Sequence, residues 1–179
     1  YILAEGQLWN RIFSVLRERA AAGVEIYIIF DDFGNLTRLS DETLQAIQDA
    51  GIEVEVFNPV HRYVNRIYFN YRDHRKIAVV DGHFAWTGGI NLADEYANLT
   101  VRFGHWKDSG VRIEGEGAWG FAAQFIQMWQ MMGRTLPNEE DYYRSRHEIP
   151  AAGGFCQPFT DGPLNNPDNP IEETYLQLI

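Results

Sequence analysis

Asn70 to Glu95 reads NYRDHRKIAVVDGHFAWTGGINLADE, and this stretch decides how the rest of the chain is read. Ile77 to Val80 is a short apolar run rich in β-formers. Asp81-Gly82 is a strong two-residue hairpin signal, and His83 to Trp86 supplies a strand returning beside the first. If the first strand begins at or before His74, residues two apart share a face, so His74 and Lys76 project together, an imidazole beside an ammonium. Asp81 is an odd number of residues from Lys76 and falls in the turn. It is expected to serve the turn through its own side chain rather than to carry a proton.

Working outward, helix and strand signals alternate. Leu8, Ile12, Val15 and Leu16 recur at helical spacing, and Gly23 offers a stop before Val24 to Phe30, an almost continuous β-rich run that predicts a buried strand. Ser40 is an N-cap candidate for a helix that turns Leu44 and Ile47 inward and ends at Gly51, ahead of a strand over Ile52 to Phe57. Farther on, Ser109 to Glu114 predicts a strand, and Phe121, Phe125, Met128, Trp129 and Met132 form an apolar helical stripe that belongs to a core. This order predicts an α/β fold, a mixed β-sheet flanked by helices on both faces. Asp31-Asp32, at the end of the first strand, could face a ligand in the crevice beyond strand C-termini. More often such a pair ends the strand and satisfies nearby backbone donors.

The 179 residues are 45% hydrophobic, enough for one domain with a real core. A single cysteine, Cys156, excludes an internal disulfide. The five histidines, His61, His74, His83, His105 and His147, show no metal-ligand spacing, so no metal site is expected. The formal charge of −10 argues against a nucleic-acid partner. Locally the sign reverses: Arg62, Arg66, Arg72, Arg75 and Lys76 lie between His61 and Lys76, interleaved with Tyr63, Tyr68, Phe69 and Tyr71. Such a segment suits either a membrane interface with anionic headgroups or a loop covering the sheet. No run approaches the roughly 20 apolar residues that cross a bilayer.

The residue types argue a chemistry. A nucleophile attacking an anionic phosphodiester needs positive charge nearby and donors for the non-bridging oxygens. Imidazole is neutral near pH 7 and forms covalent phospho-intermediates, Lys76 offers three donors and Asn91 an amide, and Gly88-Gly89 lets backbone approach closely. A nucleophilic His74 needs its second ring nitrogen held by an acceptor, and Asp108, just before the Val111 to Glu114 strand, is expected within hydrogen-bond reach of it.

These residues resemble the signature of the phospholipase D superfamily: His74-Arg75-Lys76, four residues, Asp81, then Gly88-Gly89-Ile90-Asn91. The wider context, with Gly104-His105-Trp106-Lys107-Asp108 and Val111-Arg112-Ile113-Glu114-Gly115, looks more narrowly like the first catalytic half of bacterial cardiolipin synthases. The resemblance covers nearly all of Tyr1 to Trp129. It implies a catalytic set of His74, Lys76, Asp81, Asn91 and Asp108, with Gly88, Gly89 and Arg75 on the substrate side and neither metal nor organic cofactor. It further implies two such motifs facing one site, one His attacking phosphorus and the other protonating the leaving alcohol.

The expected reaction is phosphatidyl transfer between two phosphatidylglycerol molecules, giving cardiolipin and glycerol. The expected partners are anionic phospholipid, a membrane surface and a second phospholipase D-like half or subunit. On this reading residues 1–150 are the first half, 151–169 a linker and 170–179 the start of the second half. The parent protein would sit at the cytoplasmic side of the cell membrane, and this portion alone would be soluble. The competing readings are a homodimeric phosphodiesterase or nuclease of the same superfamily, which the acidic chain disfavours, and a non-catalytic half that only binds phospholipid.

Overall fold

A computed structural model of the chain describes residues 1–60, 70–137, 156–160 and 169–179. The fold is mixed α/β, with a two-stranded parallel sheet and a three-stranded sheet built on a hairpin. Contacts divide the chain into two compact units, residues 1–76 with 87–111 and residues 77–86 with 112–179.

The first unit opens with helix α1, Gln7–Ala21. Trp9, Ile12, Phe13, Leu16 and Ala20 form its inner stripe, with Trp9 stacked on Phe13 at 5.5 Å between ring centroids. Val15, expected on that stripe, is 55% exposed. At 3.6 residues per turn it falls about 120° round the axis from Trp9, so the aromatic pair rather than the Leu8/Val15 pair sets the buried face. Gly6 gives α1 no side-chain cap. The carboxylate of Asp94 takes that role, accepting from Gln7 N at 3.0 Å and Leu8 N at 2.7 Å.

Strand β1, Tyr27–Asp31, pairs in parallel with β2, Glu53–Phe57, in the register Tyr27↔Glu53 to Asp31↔Phe57. The strand starts later than Val24 because Val24 N is still bonded to Arg19 O in the close of α1, at 3.0 Å. After β1 comes the single turn α2, Asp32–Asn35, and then α3, Asp41–Asp49, which joins the two strands. Ser40 caps α3, its hydroxyl accepting from Thr43 N at 3.1 Å. Leu3, Trp9, Ile47 and Ile52 make the buried core of this unit. Each such side chain contributes roughly 1.5–3 kcal/mol by leaving water.

In the second unit β3, Ile77–Val80, turns at Asp81-Gly82 into β4, Phe84–Gly88. Both turn residues have positive φ, 53° and 64°, as a type I′ hairpin turn requires, and His83 N closes on Val80 O at 3.0 Å. Strand β5, Gly110–Glu114, completes the order β3-β4-β5. Helix α4, Glu116–Met131, carries Phe121, Met128 and Trp129 inward, and Ala85, Ala118 and Phe121 form the second core with Ile77, Val79 and Ile113 around them. Helix α5, Pro170–Leu178, has no buried residue. Of the basic aromatic segment from His61, residues 61–69 lie outside the described residues, as does most of the stretch from 138 to 168.

Candidate active site

The site grows from the C-terminal end of β1. Asp31 is 1% exposed and caps α2 by accepting from Phe33 N at 2.9 Å. Its other oxygen accepts Asp73 N at 3.0 Å, while Arg72 reaches the first oxygen at 3.4 Å and donates to Asn58 O at 2.8 Å. Asp32 accepts from Val60 N at 2.7 Å. The Asp31-Asp32 pair therefore satisfies backbone donors, and through Asp73 it fixes the residue immediately before His74. Burial pushes the Asp31 carboxyl up, against the pull of those donors and of Arg72.

Beyond Asp73 the chain is in no strand until β3 begins at Ile77. Strand alternation thus does not reach His74. What gathers the two side chains is the Tyr1 ring, whose centroid lies 4.8 Å from that of His74 and 5.4 Å from the Lys76 ammonium. Lys76 also donates to the carbonyl of His74 at 2.6 Å. Arg75, expected on the substrate side, pairs with Asp73, with Nε at 2.8 Å and a terminal nitrogen at 3.2 Å from its carboxylate.

The glycine pair faces the segment ahead of β5. A Cβ at Gly88 would stand 2.9 Å from Ser109 O, and one at Gly89 would stand 2.7 Å from both oxygens of Asp108. The freedom used here is close approach rather than unusual φ. Asp108 is held by Trp106 Nε1 at 3.1 Å, by Ser109 N at 2.7 Å and by the Gly89 amide. No hydrogen bond joins it to His74, contrary to the sequence expectation, because donors close in the chain have taken its oxygens. Its charge acts on Lys76 instead.

Asn91 is 4% exposed, and its Oδ1 accepts from Ile2 N at 3.1 Å. Leu92 continues that link by pairing with Leu3. The Asn91 amide nitrogen has no hydrogen-bond partner among the described residues, which leaves its donors for a ligand. Asp81 occupies the first left-handed position of the hairpin turn.

Partial burial and the neighbouring Lys76 ammonium hold the His74 pKa below the usual histidine value, with Asp73 and Asp31 opposing. The imidazole is therefore mostly neutral at pH 7, with a lone pair to offer. Burial also lowers Lys76, while Asp73 and Asp108 counter that effect. Hydrogen bonds from Trp106 and Ser109 hold Asp108 below the ordinary carboxylate range. Sequence reasoning missed Tyr1 and Asp73. Tyr1 carries no spacing signal, whereas Asp73, the one acid amid five cations, was visible as an outlier. No group of three or more potential ligands among the described residues is arranged to hold a metal ion.

An imidazole beside an ammonium suits attack on a phosphodiester, and comparison with known proteins narrows the family. The family profile described as cardiolipin synthase, PLD-like domain matches residues 7–129. The chain belongs to this family. Among similar proteins are an uncharacterized protein of Streptococcus mutans, 39% identical over 100% of this chain and 38% of its own length, and a cardiolipin synthase of Oceanobacillus iheyensis, 32% identical over 100% and 36%. The major cardiolipin synthase of Bacillus subtilis is 33% identical over 100% of the chain and 37% of its own length. The chain spans a little over a third of the length of these relatives. As a cardiolipin synthase family member it has, among the described residues, no helix long and apolar enough to cross a membrane.

Proposed function

We propose that the protein carrying this chain transfers a phosphatidyl group from one phosphatidylglycerol to another, yielding cardiolipin and glycerol. The observation that carries this is the His74 imidazole gathered with Lys76 on the Tyr1 ring in a chain of this family. A ring nitrogen of His74 attacks phosphorus, and the bond from phosphorus to the glycerol oxygen breaks. The departing oxygen takes a proton from the histidine of a second H-x-K motif, supplied by another half or another subunit. The phosphatidyl group then rests on His74 until a hydroxyl of the second phosphatidylglycerol attacks it. That hydroxyl returns its proton to the second histidine as the phosphorus to nitrogen bond breaks. Lys76 and the Asn91 amide nitrogen stabilise the non-bridging oxygens, and the scheme balances without a cofactor.

In this reading residues 1–150 are the first half, 151–169 the linker and 170–179 the start of the second. The membrane, on its cytoplasmic side, is the place of action. Phosphorus-labelled phosphatidylglycerol in vesicles, given to the full-length protein, should yield cardiolipin and leave acid-labile label on enzyme quenched with denaturant at alkaline pH. His74→Ala should abolish both, whereas near-normal transfer by this variant would sink the assignment. Nicking of DNA with no lipid product would favour the phosphodiesterase reading, which the net charge of −10 opposes.

A further inference from the structure

The segment from Asn98 to Trp106 is a closed loop. Asn98, at φ 55°, accepts Trp106 N at 2.7 Å on its side-chain oxygen and donates its amide to Trp106 O at 2.9 Å, so one side chain ties the neck twice. At the tip stand Val101, 87% exposed, and Phe103, 63% exposed, the first being the most exposed large apolar side chain among the described residues. Cations flank them. Arg102 lies 5.0 Å over the Phe103 ring and pairs with Glu95 at 2.9 Å, and His105 and Lys107 are exposed beside Trp106. The neck reaches the active site directly, since Trp106 packs on Tyr96 and donates to Asp108, the carboxylate that acts on Lys76.

Leaving Val101 and Phe103 in water forfeits a few kcal/mol of burial, so an occupant that covers them is favoured. A stable protein partner needs on the order of 800 Å² from each side, far more than two side chains, and would bury His105 and Lys107. An anionic lipid surface needs neither. Apolar tips enter the acyl boundary, the tryptophan sits at headgroup depth, and each cation beside the headgroups gains roughly 1 kcal/mol. From Asn98 to Lys107 the sequence holds Arg102, which pairs with Glu95, and Lys107 but no acid, on a chain of net charge −10. We infer that the 98–106 loop is an interfacial wedge that seats Val101 and Phe103 in an anionic phospholipid surface and so brings the His74 site to lipid headgroups.

The inference rests on the lipid reading of the site but is tested apart from turnover. In the full-length protein with Cys156→Ser and any other cysteines replaced, Val101→Cys carries an environment-sensitive fluorophore. Vesicles of phosphatidylglycerol and phosphatidylcholine containing lipids spin-labelled near the headgroup should quench it, and phosphatidylcholine alone should quench it less. Unchanged fluorescence with vesicles would show a solvent loop, and a probe already shielded without lipid and never quenched would show a protein occupant; either result overturns the wedge. Val101→Ser with Phe103→Ser should raise the apparent KM for vesicle-borne substrate about tenfold while leaving kcat on a soluble short-chain diester unchanged. An equal loss on both substrates would mean a folding effect and count against the wedge. Quenching without any lipid transfer would uphold the wedge and reject the phosphatidyltransferase assignment.

Discussion

Between His74 and Lys76 two positive charges compete for one small space, and the competition predicts a pH profile. The imidazole must be neutral to attack, so kcat/KM should fall on the acid side at a pH below the ordinary histidine value. Removing the ammonium in Lys76→Gln makes protonation of His74 easier. The acid limb should then move to higher pH, and the plateau should drop by about 10²–10³-fold as charge stabilisation is lost. Asp108 acts on Lys76 instead. Its carboxylate raises the Lys76 pKa, so Asp108→Asn should lower that pKa, read by NMR titration of the Lys76 ammonium, with the acid limb unmoved. If the acid limb moves instead, Asp108 works through His74 after all. Pairing of Asp108 with Trp106 rather than with the imidazole was not legible in the sequence, because an indole two residues away competes for the same oxygens at no chain-closure cost.

At the scale of elements, the hairpin and the glycine pair behave differently under substitution. A Cβ at Gly88 meets backbone at Ser109 O, while one at Gly89 meets the end of the Asp108 side chain. Gly88→Ala should therefore cost stability, by about 1–3 kcal/mol as overpacking does, in a denaturant melt. Gly89→Ala should keep most stability and lose activity as the Asp108 carboxylate is displaced. Asp81→Asn should change stability by less than about 0.5 kcal/mol, since Asn-Gly serves a type I′ turn as well as Asp-Gly. Loss of transfer in a variant with an intact hairpin would give Asp81 a role beyond the turn. The turn, the Ser40 cap, the two strands on either side of α3 and the long apolar helix were all readable because each rests on local chemistry. The start of β3 was not, because tertiary bonds from Asp31 to Asp73 and Arg72 hold residues 72–73 outside the sheet.

Across the molecule, the mixed α/β class followed from the order of periodic segments, but the two separate cores did not. Ile47 and Ile52 pack with Trp9, whereas Ala85 and Phe121 pack with each other, and apolar patterning alone does not say which stripes meet. The −10 charge is a global property, and Arg72, Arg75 and Lys76 against the single Asp73 are a local exception to it.

The cap of α1 by Asp94 bears on biosynthesis. The carboxylate that receives the amides of Gln7 and Leu8 lies 86 residues downstream of Leu8. At a translation rate of about 5–20 residues per second, the first turn of α1 waits on the order of ten seconds for its anchor. Until then its first amides face water alone. A nascent chain halted before residue 94 should show fast hydrogen exchange at Gln7 and Leu8, and Asp94→Ala in the finished protein should reproduce it while amides in the middle of α1 stay protected. Slow exchange at Gln7 and Leu8 in either case would mean that α1 starts without Asp94. Helix α1 thus leaves the ribosome well before its N-terminal turn can be completed.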